Sequence, residues 1–406
     1  MKVQKRIESK TSKKVRKTYE KFPYPAVARI GQFDRVWPIA PMEWIDAMSQ
    51  PDHPVPRRIL IAGCGTGNEA FAFRRRFAHA EITAVDFSQP SVSLARKRQR
   101  EFSHSKKILF LCCDLNDRRF RRIVGDRFDF ISCHGVLSYL PRPERALENL
   151  ADCMEPGGAF YAGVNGPEHC SQRWRQTLPK FGFDLDHFAD GSRLRRTLRL
   201  HDALTRHPVD VVAEKGPEFL ASDLFGPIIA NHSLARWVAI FRRFGFHLAG
   251  SYQAHHSLRR ALNEGLGHLL IPRSRSEVHA LAEMISPSDF HSLVFTRKPE
   301  APIPWLVPGA LKHCPVSATR LYTWRSPRRT QRWQALRILT IRSRPTNTLV
   351  HLRVPEWVIE ILREDNTGRS ISSIFGERLP AISTQSVRKY LYSLYLLGLI
   401  NLRPAK

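Results

Sequence analysis

From Ile59 onward, short apolar runs alternate with amphipathic stretches. Ile59–Ala62 is an apolar run that stops at Gly63, and a helical pattern follows over Asn68–Phe77. Glu81–Asp86 (EITAVD) alternates apolar and polar positions as a strand does, and Ser88 is placed to cap a helix over 91–101. Lys107–Cys113 and Phe128–Cys133 read as a third and fourth strand. Pro143–Met154 reads as a helix, and Ala159–Val164 as a fifth strand after a Pro156–Gly158 turn. Strand and helix repeated at this spacing predict an α/β fold, a doubly wound parallel sheet with helices on both faces.

Beyond Gly166 the alternation lapses into a stretch rich in Arg, His and Leu, 167–228, which reads as an inserted helical lobe. Ser233–Phe244 resumes a helix, Phe246–Tyr252 a strand, 254–285 helical sequence and Phe290–Thr296 a last strand, before a proline-rich break at Pro299–Pro308. Residues 346–406 follow as a small module with helices at 355–364, 370–377 and 384–397, a turn at Asn366–Gly368 and a strand edge at 399–403, the order of a winged helix. The chain thus divides into a basic arm with an aromatic-proline cap (1–50), an α/β domain (51–300), a basic Pro/Arg-rich linker (301–345) and a winged-helix-like domain (346–406). The third helix of that last domain carries an apolar stripe (Val387, Tyr390, Leu391, Leu394, Tyr395, Leu397), while its outer face offers only Gln385, Arg388 and Lys389. A DNA-reading helix shows more polar side chains than that. The alternatives are that this domain docks another protein, covers the active site or makes a dimer, and a contact with protein is the reading placed ahead of DNA.

Charge bears on partners. The 406 residues carry 64 Lys+Arg against 37 Asp+Glu, a net charge of +27. Eight basic residues fall in 1–17 and eight Arg with no acid in 320–344, the latter interleaved with Tyr322, Trp324 and Trp333. An acidic macromolecule is the expected partner, protein first and nucleic acid second. An apolar content of 42% excludes a disordered chain. The longest nearly apolar stretch, Leu391 to Leu402, falls short of the ~20 residues a membrane span needs. The Lys-rich start shows no secretory h-region, and seven irregularly spaced cysteines make no disulfide framework, so a reducing cytoplasmic location is expected. No CxxC or spaced Cys/His set predicts a metal, and His255–His256 has no ligand spacing. Cys112, Cys113, Cys133 and Cys153 read as small buried hydrophobes.

The chemistry is concentrated in ILIAGCGTGNEA, residues 59–70, which sets Gly63, Gly65 and Gly67 between a strand and a helix. Such a loop turns sharply and lets a ligand meet bare backbone and helix N–H groups. Asp86 ends the next strand, where a carboxylate can accept both hydroxyls of a ribose. Asp114, after the third strand, could accept from an adenine amino group.

The strand–GCGTG–helix–strand–Asp order resembles class I S-adenosylmethionine (SAM)-dependent methyltransferases, whose sheet is Rossmann-like. YEKFPYP, ILIAGCGTGNEA, AVDFSQPSVSLARKR, FDFISCHGVLSYL and EPGGAFYAG further resemble a bacterial methyltransferase family often fused to tetratricopeptide repeats, over about Tyr19 to Pro299, although no repeat occurs here. The resemblance implies SAM as cofactor. Gly63, Cys64, Gly65, Thr66 and Gly67 would line its methionine part, Asp86 would hold the ribose and Phe87 would pack on the adenine. Asp114 and Leu115 would read the adenine edge, Cys133, His134 and Gly135 would close the site under the sulfonium, and Tyr19 would join from the arm. Many such enzymes carry an acid two positions before the first glycine; here that position is Ile61.

Methyl transfer requires a base only where the acceptor must lose a proton. His134, Tyr139, Tyr24 and Tyr19 are the candidates. His134 is either that base or a hydrogen-bonded wall residue, and the Tyr19–Tyr24 arm either a lid or an aromatic packing on the sheet edge. Cys133-His134-Gly135-Val136 stands where an Asn-Pro-Pro-Tyr-like tetrapeptide would follow the fourth strand, which disfavours amino-group methylation of bases or glutamine by that route, and no glutamate pair follows it to grip an arginine. A protein side chain is the first expected acceptor, with RNA or a small molecule as alternatives; a non-catalytic scaffold of the same fold is the competing class.

Overall fold

The computed structural model describes residues 10–26, 56–101, 106–125, 127–205, 212–252, 258, 274–297, 315–318, 322–325, 336–343, 349–363, 369–376, 384–396 and 400–402. At its centre is a seven-stranded sheet of β1 (Arg58–Ala62), β2 (Glu81–Asp86), β3 (Leu109–Cys112), β4 (Phe128–His134), β5 (Met154–Asn165), β6 (His247–Ser251) and β7 (Phe290–Thr296). Their order across the sheet is β3-β2-β1-β4-β5-β7-β6. The first five are parallel, and β7 runs against both β5 and β6. The parallel sheet expected from sequence is therefore corrected to a mixed one. An apolar run such as FHSLVFT encodes burial but not direction; β7 starts beside the end of β5, with Phe290 abreast of Asn165, and so enters the sheet reversed.

Period-two alternation splits each central run between two faces. Ile59, Ile61, Ala84 and Phe130 pack on one side with Phe71, Phe73 and Val92. Leu60, Ala62, Val85, Ile131 and Cys133 pack on the other with Leu147, Leu150, Trp237 and Phe241. Covering these faces and continuing along the chain are α1 (Lys10–Lys21), α2 (Asn68–Arg76), α3 (Gln89–Gln99), α4 (Phe120–Val124), α5 (Pro143–Cys153), α6 (Cys170–Thr177), α7 (Ser192–Thr205), α8 (Leu234–Arg242) and α9 (Arg275–Ile285). Ser88 caps α3 by accepting from the Ser91 N–H, as its position predicts. The Pro156–Gly158 turn is instead part of β5, a bulge where the partner of Phe128 is Met154 but that of Phe130 is Ala159.

The inserted segment is helical. α6, α7 and a π-helical turn at Leu220–Leu224 enclose a core of Trp174, Leu178, Leu194, Leu198, Leu220 and Leu224. Past β7, part of the stretch read as a linker folds into strands: β8 (Pro315–Ala318), β9 (Tyr322–Arg325) and β10 (Leu336–Ser343), followed by β11 (Leu349–Pro355). In LRILTIRS the arginines bracket a mainly apolar run, Ile338–Ile341, that counting charge alone conceals. α10 (Glu356–Ile361), α11 (Ile371–Phe375) and α12 (Thr384–Leu396) meet around Trp357, whose ring is edge-on to Phe375 and Tyr390. Beside them β8 lies between β12 (Arg369–Ser370) and β13 (Ile400–Leu402). Residues 1–9, Pro51, Pro54, His255, His256, Pro299–Pro308, Arg320, Arg328, Arg329, Arg332, Trp333 and Arg344 lie outside the described residues. Among the described residues no helix is long and apolar enough to cross a membrane.

Candidate active site

The strand order reverses between β1 and β4, and the loops at the carboxyl ends there leave a crevice. Gly63, Cys64 and Gly65 after β1, Asp86 and Phe87 after β2, Asp114 and Leu115 after β3, and His134 and Gly135 after β4 all line one cavity. Gly63 has φ +82°, and a Cβ there would lie 2.2 Å from Val136 Cγ2. Gly65 has φ +50°, and its Cβ would lie 2.0 Å from the Tyr24 carbonyl oxygen. Only glycine allows both the backbone turn and these approaches. The Gly65 N–H donates to Asp86 Oδ2 at 2.9 Å and the Ser88 N–H to Oδ1 at 2.8 Å, so the carboxylate is oriented by the loops it joins. Burial pushes the Asp86 carboxyl up to about 6, against the lowering effect of those backbone bonds.

The N-terminal arm lies across this crevice. Arg16 donates to the Phe87 carbonyl at 3.4 Å and sits 3.7 Å from Asp114 Oδ2, and the Tyr19 ring meets Phe87 edge-on at 5.9 Å. Thr66 Oγ1 donates to the Pro25 carbonyl (2.8 Å), Asn68 Nδ2 to that of Ala26 (3.0 Å) and Ser88 Oγ to that of Tyr19 (3.3 Å). Lys14 pairs with Asp186 of the insertion. Of the two readings of the arm, packing at a sheet edge and covering the crevice, its contacts match the second.

A polar cluster forms another wall, and most of it comes from the insertion. Tyr139 donates to Asp223 Oδ1, and Asn165 Nδ2 donates to the Tyr139 hydroxyl at 3.1 Å. Ser222 Oγ donates to Asp223 Oδ2 at 2.8 Å, and His169 Nε2 lies 3.8 Å from Asp223 Oδ1. Burial raises the Asp223 carboxyl, and burial with Asp223 nearby raises the hydroxyls of Tyr19, Tyr24 and Tyr139. His134 is different: Nδ1 is 2.8 Å from the Tyr161 hydroxyl, and burial pushes the imidazole down to about 3. A ring so reluctant to protonate is a weak base at neutral pH, and its geometry is that of a wall residue.

Residues 60–160 match a family model described as a methyltransferase domain. PKMT2 from Rickettsia typhi, solved in complex with AdoHcy, shares the fold at a TM-score of 0.53 and 12% identity, over 95% of this chain and 78% of that one. The chain carries a SAM-dependent methyltransferase domain. Over 107 residues it is 38% identical to an uncharacterized protein of Synechococcus, covering 26% of this chain and 25% of that protein. It is 28% identical to a ubiquinone biosynthesis O-methyltransferase of Alkalilimnicola ehrlichii over 162 residues, 37% of this chain and 62% of that enzyme. The chain therefore spans less than two thirds of the length of these curated relatives.

The crevice of this methyltransferase domain suits its cofactor. Bare glycine backbone faces the cavity at Gly63 and Gly65, where side chains would collide, and a buried carboxylate stands one strand away. Of the residues singled out from sequence, Tyr19, Tyr24, Gly63, Cys64, Gly65, Asp86, Phe87, Asp114, Leu115, His134, Gly135 and Tyr139 line the cavity. Thr66, Gly67 and Cys133 are not among its lining residues; Thr66 instead holds the arm, and Cys133 is fully buried among Leu60, Ile131 and Phe160. Sequence reasoning missed Glu69, Asn165, His169, Ser222 and Asp223, which the cavity also gathers. Glu69 had a signal, the one acid of the first turn of the helix inside the glycine motif. Asp223 had none, since its partner Tyr139 is 84 positions away.

Proposed function

We propose that this protein is a cytoplasmic enzyme that transfers the methyl group of SAM to a nucleophilic side chain of a protein partner. The observation that carries the reading is a single cavity with two kinds of wall: the glycine loop with Asp86 on one side, and the buried Tyr139–Asp223 pair with the half-buried His169 on another. Asp86 would accept from the ribose hydroxyls, Phe87 would pack on the adenine and Asp114 with Leu115 would meet its edge. When bound, SAM supplies a methyl group on a readily departing sulfonium, so positioning and exclusion of water do most of the catalysis. The arm residues Tyr19, Tyr24 and Pro25 exclude that water. At the opposite wall, Asp223 is the group suited to take a proton from the acceptor, since burial brings its carboxyl closer to the proton affinity of a neutral-pH base. Tyr139 and Ser222 orient it.

Three features support a protein acceptor: the net charge of +27, the fold likeness to PKMT2 that runs through 95% of this chain, and a C-terminal unit with the element order of a winged helix. The test is transfer of labelled methyl from SAM into a host-cell lysate, fractionated into protein, nucleic acid and small molecules. Label in protein, absent with the Asp86→Ala enzyme, is the expected result. Label in RNA or in small molecules moves the acceptor to that class. Absence of SAM binding by calorimetry leaves a non-catalytic scaffold.

A further inference from the structure

Glu69 is a buried acid in the wall of the cavity. It stands in the first turn of α2, is only 6% exposed, and lines the cavity beside Gly63, Cys64 and Gly65. Ser132 donates to its Oε1. Ser132 is the β4 residue directly abreast of Ile61 in β1, so α2 delivers a carboxylate to the sheet position where β1 itself presents an apolar side chain. Burial raises the Glu69 carboxyl to about 7 against the lowering effect of the Ser132 hydrogen bond, and among the described residues no cation forms an ion pair with it. A buried carboxylate without a cation is unfavourable, and an apolar residue of similar size would serve the helix better.

We propose that Glu69 anchors the α-ammonium group of the methionine half of SAM, with Ser132 holding the carboxylate in place. The inference rests on the SAM reading above. It divides two duties within the cavity: Asp86, at the end of β2, would meet the ribose hydroxyls, and Glu69, in the helix that follows the glycine loop, would meet the amino-acid end. The competing explanation is structural, an acid that merely favours the N-terminus of α2.

The experiment compares two ligands on the full chain by calorimetry. S-adenosylhomocysteine carries the α-amino acid, whereas 5′-methylthioadenosine ends at the thioether. Glu69→Gln keeps the size and the bond from Ser132 but removes the charge. It is expected to weaken S-adenosylhomocysteine about 10- to 100-fold, the worth of one charge-assisted hydrogen bond, and methylthioadenosine less than about twofold. Ser132→Ala is expected to show a smaller loss with the same selectivity, and it carries the comparison if Glu69→Gln does not fold. Equal loss for both ligands, or no loss for either, overturns the proposal. A wild-type protein that binds neither ligand overturns the SAM reading and this inference together, whereas wild-type binding of both without selectivity in the variants overturns this one alone.

Discussion

Gly65→Ala tests whether shape holds the N-terminal arm over the crevice. The new Cβ would sit 2.0 Å from the Tyr24 carbonyl oxygen and 3.1 Å from Pro25 Cδ. The loop cannot retreat, because the Gly63 and Cys64 N–H groups are bonded to the Val85 carbonyl at 2.8 and 2.9 Å and the Gly65 N–H to Asp86. The arm must give way instead. It then loses the bonds from Thr66 to Pro25 and from Asn68 to Ala26, worth about 1 kcal/mol net each. A loss of about 2 kcal/mol raises the arm-open population roughly 30-fold. The φ of +50° adds about 1–2 kcal/mol of strain, but the strain is present with the arm open or closed and drops out of that ratio. Limited trypsin digestion at Arg16, Lys17 and Lys21 reads the open population when closing outpaces cleavage. Gly125→Ala is the control: φ is +89°, yet nothing lies within 4 Å of its Cβ, so it carries strain without a clash. Cleavage within α1 should rise in Gly65→Ala and stay at the wild-type rate in Gly125→Ala. Equal rates in the two variants would refute the steric argument.

Three further outcomes are expected. His134 keeps its proton off down to about 3 in the native state, whereas an unfolded histidine takes one near 6.5, so its contribution to stability is lost as pH falls below 6.5. Between pH 7 and 5.5 the stability of wild type should fall by about 1 kcal/mol more than that of His134→Asn in urea titrations; parallel pH profiles would contradict the buried, neutral ring. Asp223→Asn should lower kcat about 100-fold while S-adenosylhomocysteine affinity stays within about twofold, because the group acts on the acceptor; an equal loss in both would relocate it to the cofactor side. Arg74 is 1% exposed and donates to the carbonyls of Phe77, Ala78, Ala80 and Lys107, at the end of α2. Arg74→Leu should therefore cost about 3 kcal/mol or more by chemical denaturation, since it leaves buried carbonyls without donors; a cost below about 1 kcal/mol would show that water replaces it.

Legibility in the sequence followed the range of the interactions. β1, β2, the cap at Ser88 and the glycine turn are each decided within a dozen residues, by alternation, by a side chain bonding three positions ahead and by positive φ. Asp86 belongs to the same class, because the end of the strand next to the glycine loop is already the place for a ribose-facing carboxylate. The linker reading failed at β8–β10 for the opposite reason: short strands such as PVSA and YTWR, in a stretch rich in proline and arginine, resemble solvated chain until a partner strand is known.

The sequence by itself therefore determined the α/β alternation, the glycine loop and its acidic companion, and thereby the kind of chemistry the domain supports. The tertiary structure alone decided the direction of β7, the placing of the arm across the crevice, the meeting of Tyr139 with Asp223 and the alignment of Glu69 with Ser132. Local periodicity records how deeply each residue is buried. Which buried groups face one another depends on the strand order and on where the long connections return, and those are set by the packing of the whole domain.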